Sequence, residues 1–361
     1  MKIVIATGGS GGHLFPALKV GQELKRRRHE IVFIGSFKQG MEKIMDGGFA
    51  LENLPARGIN AKNIKDLFDS SLLMLRSFHL SRRALTRIKP DAVVGFGGYG
   101  AFPVVSAACS LKIKRMIHEQ NVVPGRANTL LAGWVDKIAV SFDESSQYFP
   151  KDKTVLTGCP VNASPEQVKN IGKEKILQEL GLSPQKKTVL VVGGSQGSER
   201  INDLMKECAA DICRANGCQI IHITGKKDYE GLRTEYARLK IPSRLFDFCH
   251  TMAQVYAVTD AAIARAGAVT VSELALFNIP SVLIPYRFAG GHQKQNALAL
   301  TRTGLAEIID ENDLNKERLL EKVSRALKND PSRMTDIEQL RKTFFADSDK
   351  RLADSIEALV K

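Results

Sequence analysis

Residues 3–13 read IVIATGGSGGH, an apolar run that passes directly into glycines and a histidine. A β-branched run bounded by glycine predicts a buried strand followed by a tight turn. Such a turn lets backbone amides approach a ligand, and the N-terminus of a following helix favours an anion. This stretch therefore predicts the first strand, loop and helix of an α/β domain with a ligand at the loop.

The opening stretch has a counterpart in the second half of the chain, where residues 189–197 read VLVVGGSQG. Apolar runs alternate with helical patterns after both stretches, which is typical of parallel sheets covered by helices. The runs that predict strands are residues 3–6, 31–35, 92–94, 115–118 and 137–140, then 188–192, 219–224, 261–264 and 281–285. We therefore predict an α/β protein with two Rossmann-like, doubly wound domains whose glycine loops face a cleft.

The length of 361 residues exceeds what one ordinary core holds, so two domains are expected. Two prolines and small polar residues interrupt the pattern at residues 158–165. We assign residues 1–161 to an N-terminal domain and residues 162–344 to a C-terminal domain. A charged helical tail, residues 345–361, is expected to pack back on the N-terminal domain.

Lys and Arg outnumber Asp and Glu by 52 to 39, and the formal net charge is +13. This balance favours an acidic partner such as lipid headgroups, nucleic acid or phosphorylated substrates, and the alternative is a solvated basic surface. The first apolar run is too short for a signal peptide or a membrane span, so a cytoplasmic chain is expected. Cysteines lack paired spacing, which argues against a disulfide framework or a zinc site.

Several common nucleotide-binding motifs are absent from the sequence. Neither glycine loop matches G-x-G-x-x-G, and G-x-x-x-x-G-K-[ST] does not occur, so NAD enzymes and P-loop NTPases are disfavoured. The D-x-D tripeptide at residues 347–349 lies in the tail, away from any predicted strand end. We therefore predict no metal site, and expect backbone amides and helix dipoles to neutralise a bound diphosphate.

Polar residues follow three predicted strands of the first half. His13 comes directly after the first glycine loop and is a candidate general base; the alternative is a hydrogen-bonding residue at a helix start. Tyr99 ends the stretch GFGGY. It is a candidate to contact a substrate; the alternative is that the glycines allow close helix–strand packing and Tyr99 is only half exposed beside it. Residues 118–121, HEQN, form either a site or a helix cap.

The second half has similar strand-to-helix corners. Residues 265–273, RAGAVTVSE, place Glu273 within the first helical turns, where it holds a ribose diol or stabilises the helix dipole. Residues 286–296 place His292, Gln293 and Asn296 at the next corner. Together with the glycine loop at residues 193–197, these corners indicate a nucleotide site.

An amphipathic stretch at residues 67–87 combines apolar bulk with arginines. Phe68 and Leu72 represent the apolar side, and Arg76, Arg82 and Arg83 the cationic side. Such a stretch seats on an anionic bilayer, or alternatively packs on the core with a basic outer face.

Six motifs occur in one order over nearly the whole chain: GGSGGHxFP at 8–16, GGY at 97–99, HEQN at 118–121, GGSQG at 193–197, RxGAxTVSE at 265–273 and QxxN at 293–296. This combination resembles the MurG family, the bacterial UDP-N-acetylglucosamine transferases of peptidoglycan synthesis. The resemblance implies a GT-B architecture, with the lipid acceptor on the N-terminal half and UDP-GlcNAc mainly on the C-terminal half. It also implies no metal and no cofactor.

The implied reaction moves GlcNAc, with inversion, from UDP to the 4-hydroxyl of the MurNAc unit of undecaprenyl-diphosphoryl-MurNAc-pentapeptide (lipid I). The product is lipid II, which links the family to cell shape and division. The resemblance further implies a peripheral protein on the cytoplasmic side of the cell membrane, in contact with the anionic inner leaflet. Cell-wall and division enzymes are the implied protein partners, and nucleic acid is not a partner.

The resemblance also implies functional residues. The implied catalytic residues are His13, which is the favoured base, Tyr99 and Glu119. Tyr99, Glu119 and Asn128 are implied to lie around the acceptor. The implied donor contacts are Ser10, Gly11, Gly12, Asn121, Ser195, Arg265, Ala268, Val269, Thr270, Val271, Ser272, Glu273 and Gln293, with the uracil against backbone near Cys249.

The chain departs from the family pattern at three positions. Cys159 stands where an asparagine is common, Asn162 where an arginine is common, and His292 where a glutamine is common. Arg200 and Arg265 are the candidates to supply the missing charge. Two alternatives remain: a GT-B transferase for another UDP-sugar or lipid acceptor, and a nucleotide-sugar-binding regulator without catalysis, suggested by Asn162.

Overall fold

A computed structural model describes residues 1–9, 11–37, 40–55, 64–288, 290–328 and 347–361. Ser10, a predicted donor contact, lies outside the described residues. The chain separates into two compact units, one containing Met1–Asn162 and the C-terminal helix, and one beginning at Ala163.

The described strands of the first unit form one parallel sheet with the order β3-β2-β1-β4-β5-β6-β7. Their bounds are β1 (Lys2–Gly8), β2 (Glu30–Ser36), β3 (Ala50–Asn53), β4 (Ala92–Gly95), β5 (Lys114–Glu119), β6 (Lys137–Val140) and β7 (Thr154–Leu156). The described helices are α1 (Gly11–Arg26), α2 (Met41–Asp46), α3 (Ile64–Ile88), α4 (Gly98–Ser110) and α5 (Arg126–Leu131), with a 3-10 helix at Asp143–Tyr148.

Alternate residues of β1 point to opposite faces of this sheet and enter two separate cores. Ile3 and Ile5 join the core on the side of α1, whereas Val4 and Ala6 join the core on the side of α4. Because both faces are covered, β1 is apolar from Ile3 to Ala6, as is typical of a parallel strand between two helical layers.

The C-terminal helix, Ser348–Val360, packs on the first unit. Leu352 and Ile356 are buried in the same core as Ile3 and Ile5. Arg27, directly after α1, also donates hydrogen bonds to Asp354 (2.6 Å) and Glu357 (3.2 Å). Apolar contact and ion pairs therefore both attach this helix to the first sheet.

The described strands of the second unit form a second parallel sheet with the order β10-β9-β8-β11-β12-β13. Their bounds are β8 (Thr188–Val192), β9 (Gln219–Ile223), β10 (Ser243–Phe246), β11 (Ala261–Ala264), β12 (Ser281–Leu283) and β13 (Ala306–Ile308). The described helices are α6 (Lys173–Glu179), α7 (Glu199–Asn216), α8 (Tyr229–Arg238), α9 (Met252–Ala257), α10 (Ala268–Leu276), α11 (His292–Thr301) and α12 (Lys316–Lys328), with a 3-10 helix at Pro165–Val168.

The predicted α/β class with two Rossmann-like sheets is confirmed. The sequence pattern missed β3, β7, β10 and β13, which are the strands at the edges of the two sheets. These strands are three or four residues long and mostly half-exposed, so they lack the continuous apolar run of a central strand. The cysteines are all free thiols, and each is buried except Cys109, which is half-buried.

Candidate active site

The first cluster of predicted site residues lies where the strand order of the first sheet reverses. β1 and β4 are neighbours, while β2 continues on one side and β5 on the other. The chain leaves β1 toward one side of the sheet and β4 toward the other. A crevice therefore forms between the carboxyl ends of these two strands. The segments after β1 and β4 carry His13 and Tyr99 to this edge, and Glu119 is the last residue of β5.

The imidazole of His13 lies against the glycine turn after β4. Gly97 and Gly98 have φ angles of 82° and 75°, a region that favours glycine. A Cβ atom at Gly97 would lie 3.3 Å from Cε1 of His13, and one at Gly98 would lie 3.3 Å from its Cδ2. The turn therefore has to be free of side chains for the ring to occupy this position.

Tyr99 and the start of α1 are open to a ligand. The Tyr99 side chain is 49% exposed at the start of α4. Gly11 and Gly12 form the first turn of α1, where backbone N–H groups have no partner within the helix. These groups lie at the same edge of the sheet as His13.

The carboxylate of Glu119 is buried and bonded to the protein itself. It accepts hydrogen bonds from the backbone N–H of Asn121 (2.9 Å), the backbone N–H of Gly125 (3.0 Å) and Nδ2 of Asn128 (2.8 Å). The Asn121 side chain also donates to it (3.2 Å). These bonds fix the loop between β5 and α5, so Glu119 acts on the site by shaping this loop.

Asn128 is almost completely buried behind that loop. Its Nδ2 donates to the backbone oxygen of His118 (3.1 Å) as well as to Glu119. Within the described part of the chain, its Oδ1 is a buried oxygen without a hydrogen-bond partner. Asn128 therefore joins β5 to α5, and its predicted contact with the acceptor stays a prediction.

His118 itself points into the protein. Its ring is fully buried, and burial lowers its pKa to about 4 although a hydrogen bond from the ring to Gly158 opposes this shift. His118 is therefore neutral near pH 7 and belongs to the interior. Gln120 connects it to His13, a contact that the HEQN motif did not reveal because the sequence does not give side-chain directions.

The second cluster lies at the corresponding reversal of the second sheet, between β8 and β11. Gly197 has a φ of 78°, and a Cβ atom there would lie 2.0 Å from the backbone oxygen of Thr224. The loop after β8 is thus packed directly on the segment after β9. It leaves Ser195 exposed at its tip.

The N-terminus of α10 supplies backbone amides at this edge. The first backbone bond of the helix is donated by Val271 to Gly267, so the amides of Ala268, Val269 and Thr270 precede the helical ladder. The side chains of Val271 and Ser272 are buried, and the Ser272 hydroxyl donates to Ala268 (2.9 Å). An anionic ligand is therefore expected to meet the amides rather than these two side chains.

Glu273 is a buried carboxylate in the second turn of α10. Burial raises its pKa to about 7, against the hydrogen bonds from the Tyr256 hydroxyl (2.9 Å) and the Ala163 backbone, which lower it. Tyr256 lies 17 positions before Glu273, and no sequence pattern indicates this contact. Burial therefore favours the protonated form of this carboxyl.

The guanidinium of Arg265 donates hydrogen bonds to other groups of the protein. It is buried and donates to Glu311 (2.5 Å), to the Ser198 hydroxyl (3.1 Å) and to the backbone oxygen of Ile284 (3.1 Å). Arg200 is exposed at the start of α7 and donates to the backbone oxygen of Leu314 (3.3 Å). Of the two candidates to replace the charge absent at Asn162, only Arg200 is exposed.

The side chains of Gln293 and Cys249 also have partners or surroundings within the protein. The Gln293 side-chain oxygen accepts from the backbone N–H groups of Ala266 (3.2 Å) and Tyr286 (2.9 Å), which joins the loops after β11 and β12. The Cys249 thiol is buried, and burial raises its pKa, so it is an inert neutral group. Among the residues described, no cluster of three or more His, Cys, Asp or Glu is placed to hold a metal ion.

Two family models match the chain. Residues 3–140 match the glycosyltransferase family 28 N-terminal domain, and residues 188–352 match the glycosyltransferase family 28 C-terminal domain. A crystal structure of Acinetobacter baumannii MurG is 25% identical, covers 99% of this chain and 100% of its own, and has a TM-score of 0.75. The calicheamicin glycosyltransferase CalG4, at 15% identity and a TM-score of 0.70, shares the fold.

Curated relatives match over full length. A protein of Halalkalibacterium halodurans is 36% identical over 100% of this chain and 99% of its own length. One of Bacillus subtilis is 34% identical over 100% of both. Both are named UDP-N-acetylglucosamine--N-acetylmuramyl-(pentapeptide) pyrophosphoryl-undecaprenol N-acetylglucosamine transferase.

Two Rossmann-like sheets with glycine loops at their switch points and the family 28 matches define a glycosyltransferase of the GT-B architecture. Within this class, the chain belongs to the MurG family. The predicted family, fold and enzyme class are thereby confirmed, whereas the individual site residues stay predictions.

The raised pKa of Glu273 makes the stability of the protein depend on pH. Its folded pKa of about 7 exceeds the ordinary value of 4.5, so its contribution is fully present at low pH and is lost as pH rises to about 7. Relative to Glu273→Gln, we expect wild type to lose about 3 kcal/mol of unfolding free energy between about pH 4 and about pH 8. Urea unfolding of both proteins over this range measures the difference.

Tyr256→Phe is the matched control for this measurement. It removes the hydrogen bond that lowers the Glu273 pKa, so the loss of stability should extend to higher pH than in wild type. A difference between wild type and Glu273→Gln that stays constant with pH would contradict the assignment.

Proposed function

We propose that this protein transfers GlcNAc from UDP-GlcNAc to the 4-hydroxyl of the MurNAc unit of lipid I and so forms lipid II for peptidoglycan. The observation that carries the proposal is the full-length likeness to relatives named for this transfer, at 36% and 34% identity. The acceptor is assigned to the first unit and the donor mainly to the second.

On the acceptor side, His13 is the proposed general base. The 4-hydroxyl oxygen attacks the anomeric carbon of GlcNAc from the face opposite UDP, and its proton passes to His13. The bond from the anomeric carbon to the UDP oxygen breaks, which inverts the anomeric centre and releases UDP. Tyr99, exposed beside the His13 turn, contacts the acceptor, and Glu119 and Asn128 hold the adjoining loop.

On the donor side, the departing diphosphate gains negative charge and needs electrostatic stabilisation. The amides of Ala268 to Thr270 and the loop around Ser195 provide it, together with the dipole of α10. Glu273 accepts hydrogen bonds from the ribose hydroxyls, and the backbone near Cys249 borders the uracil. No metal ion is part of this proposal.

The proposal is tested by incubating the purified protein with UDP-GlcNAc and a lipid I analogue in the presence of a divalent-metal chelator. We expect release of UDP and formation of the disaccharide product without added metal. UDP-GlcNAc binding without transfer by the folded protein would favour the regulator alternative, for which Asn162 is the reason. A panel of other UDP-sugars and of diacylglycerol acceptors tests the remaining transferase alternative.

His13→Ala tests the assignment of the base in the same assay. A general base contributes about 10²- to 10⁴-fold, so turnover should fall by about 100-fold or more while UDP affinity changes little. His29→Ala, which removes a histidine of the same unit at the contact with the C-terminal helix, is the control and should keep turnover. Unchanged turnover in His13→Ala would assign the base to another residue.

We further propose peripheral attachment to the anionic cytoplasmic face of the membrane through α3. Phe68, Leu72 and Leu75 are 68%, 58% and 59% exposed, and their spacing places them on one face of this helix. The exposed Arg82 and Arg83 follow on later turns. Among the described helices, none has the length and apolar character that a membrane span requires. Binding to cell-wall and division enzymes stays a prediction.

Attachment is tested by co-sedimentation with phosphatidylglycerol vesicles. Each cation near an anionic surface is worth about 1 kcal/mol, so neutralising Arg76, Arg82 and Arg83 to Gln should lower partitioning by about 100-fold at low salt. The control neutralises three exposed arginines of the second unit, Arg214, Arg233 and Arg238. Equal losses in both variants, or binding insensitive to salt, would contradict the role of α3.

A further inference from the structure

A chain of hydrogen bonds runs from His13 into the interior of the first unit through Gln120. We propose that Gln120 is a positioning residue that fixes the tautomer of His13, with the proton on Nδ1 and the lone pair on Nε2. The inference rests on the proposed function, in which His13 takes a proton from the acceptor hydroxyl, and it adds the group that prepares His13 for this step.

The orientation of the Gln120 amide follows from its surroundings. Its Nε2 lies 3.1 Å from the backbone oxygen of Phe96 and 3.2 Å from the backbone oxygen of His118. Carbonyl oxygens only accept hydrogen bonds, so the group that faces them has to be the NH2 of the amide. The reversed amide would place a buried oxygen against two oxygens. Gln120 is 1% exposed, so water does not relieve such a contact.

With the amide so oriented, its Oε1 faces Nδ1 of His13 at 2.9 Å. An amide oxygen has no proton to give, so Nδ1 of His13 is the donor in this bond. A neutral imidazole carries one N–H, which leaves Nε2 of His13 with its lone pair. Nε2 is therefore the atom that can accept the proton of a hydroxyl.

The inner end of the chain is consistent with the same assignment. The NH2 of Gln120 also lies 3.1 Å from Nδ1 of His118, and because this group only donates, its two hydrogens are shared among Nδ1, which accepts, and the two carbonyl oxygens. The proton of His118 is then on Nε2, and this atom donates to the backbone oxygen of Gly158 at 3.1 Å. Because burial lowers the pKa of His118 to about 4, its Nδ1 stays an acceptor at neutral pH.

Ring position and ring protonation thus have separate causes. The Gly97–Gly98 turn sets where the imidazole of His13 lies, since Cβ atoms there would reach 3.3 Å from the ring. The packing of the His13 ring against Gly97 and Gly98 does not distinguish the two tautomers, because van der Waals contacts do not depend on which ring nitrogen carries the proton. The hydrogen bond to Gln120 makes this distinction, so a change at Gln120 should alter the proton of His13 while the turn stays intact.

The test uses the full-length protein labelled with 15N-histidine, and ring nitrogen shifts distinguish a protonated nitrogen from one with a lone pair. His13→Gln assigns the His13 signals by subtraction. In wild type we expect the proton of neutral His13 on Nδ1. In Gln120→Leu, which keeps the bulk and removes both amide groups, we expect a mixture of tautomers. Turnover should fall at least about tenfold, a part of what a general base contributes, with the KM for UDP-GlcNAc retained.

Two further variants separate positioning from general damage to the fold. Gln120→Met keeps the length of the side chain without an amide, so it should give the same mixture of tautomers and the same loss of turnover as Gln120→Leu. Gln219→Leu removes an equally buried glutamine that bridges a loop of the second unit. It should change stability without changing the His13 signals.

The outcomes distinguish this inference from the proposed function. A wild-type His13 with its proton on Nε2, or an unchanged tautomer in Gln120→Leu, would overturn the inference whatever the activity. Full turnover in His13→Ala would instead overturn the base assignment. The tautomer measurement needs no substrate, so it decides the role of Gln120 even if the transfer assay fails.

Discussion

The first site depends on a turn that has no side chains. Gly97 and Gly98 occupy positive φ angles directly after the central strand β4, and the ring of His13 lies on them. Any larger residue would meet the imidazole and would also be strained in this backbone conformation. The segments after β1 and β4 therefore approach each other closely, and the glycine turn of the second segment fixes the position of His13 in the first.

The same constraint occurs at the switch point of the second sheet but serves a different contact. Gly197 also has a positive φ, and there the atom that excludes a side chain is the backbone oxygen of Thr224. In the first unit the glycine turn supports a titratable ring, whereas in the second unit it brings two backbone segments together. In the proposed function, one kind of corner serves proton transfer in one unit and anion binding in the other.

The sequence predicted the parts of the fold in which burial is complete. Central strands such as residues 188–192 are buried at every position, so their apolar runs are continuous. Edge strands such as β3 are half-exposed and short, and their residues do not differ from those of a loop. The corners of the site were equally predictable, because glycine at a strand end has a local physical cause.

The partners of the site residues were not predictable, because they come from distant positions. Gln120 meets His13 across 107 positions, and Arg265 meets Glu311 across 46. Neither the spacing of these residues nor their type predicts the contacts. The contacts form only because parallel strands bring their carboxyl ends to one edge of the sheet. The family resemblance implies that Arg265 contacts the ligand, whereas its guanidinium donates hydrogen bonds to protein groups.

Because of these internal partners, a charged residue at a strand end does not by itself indicate a contact with a ligand. Glu119 and Arg265 are both buried, and both satisfy their charges with hydrogen bonds from or to the protein. A buried charge without such partners would cost several kcal/mol, so its neighbours must be arranged around it. The loop that a ligand meets is then held in one conformation by a group that the ligand does not touch. Residues that look reactive in the sequence can thus serve the site by fixing backbone, while a neutral amide such as Gln120 sets which atom of His13 receives a proton.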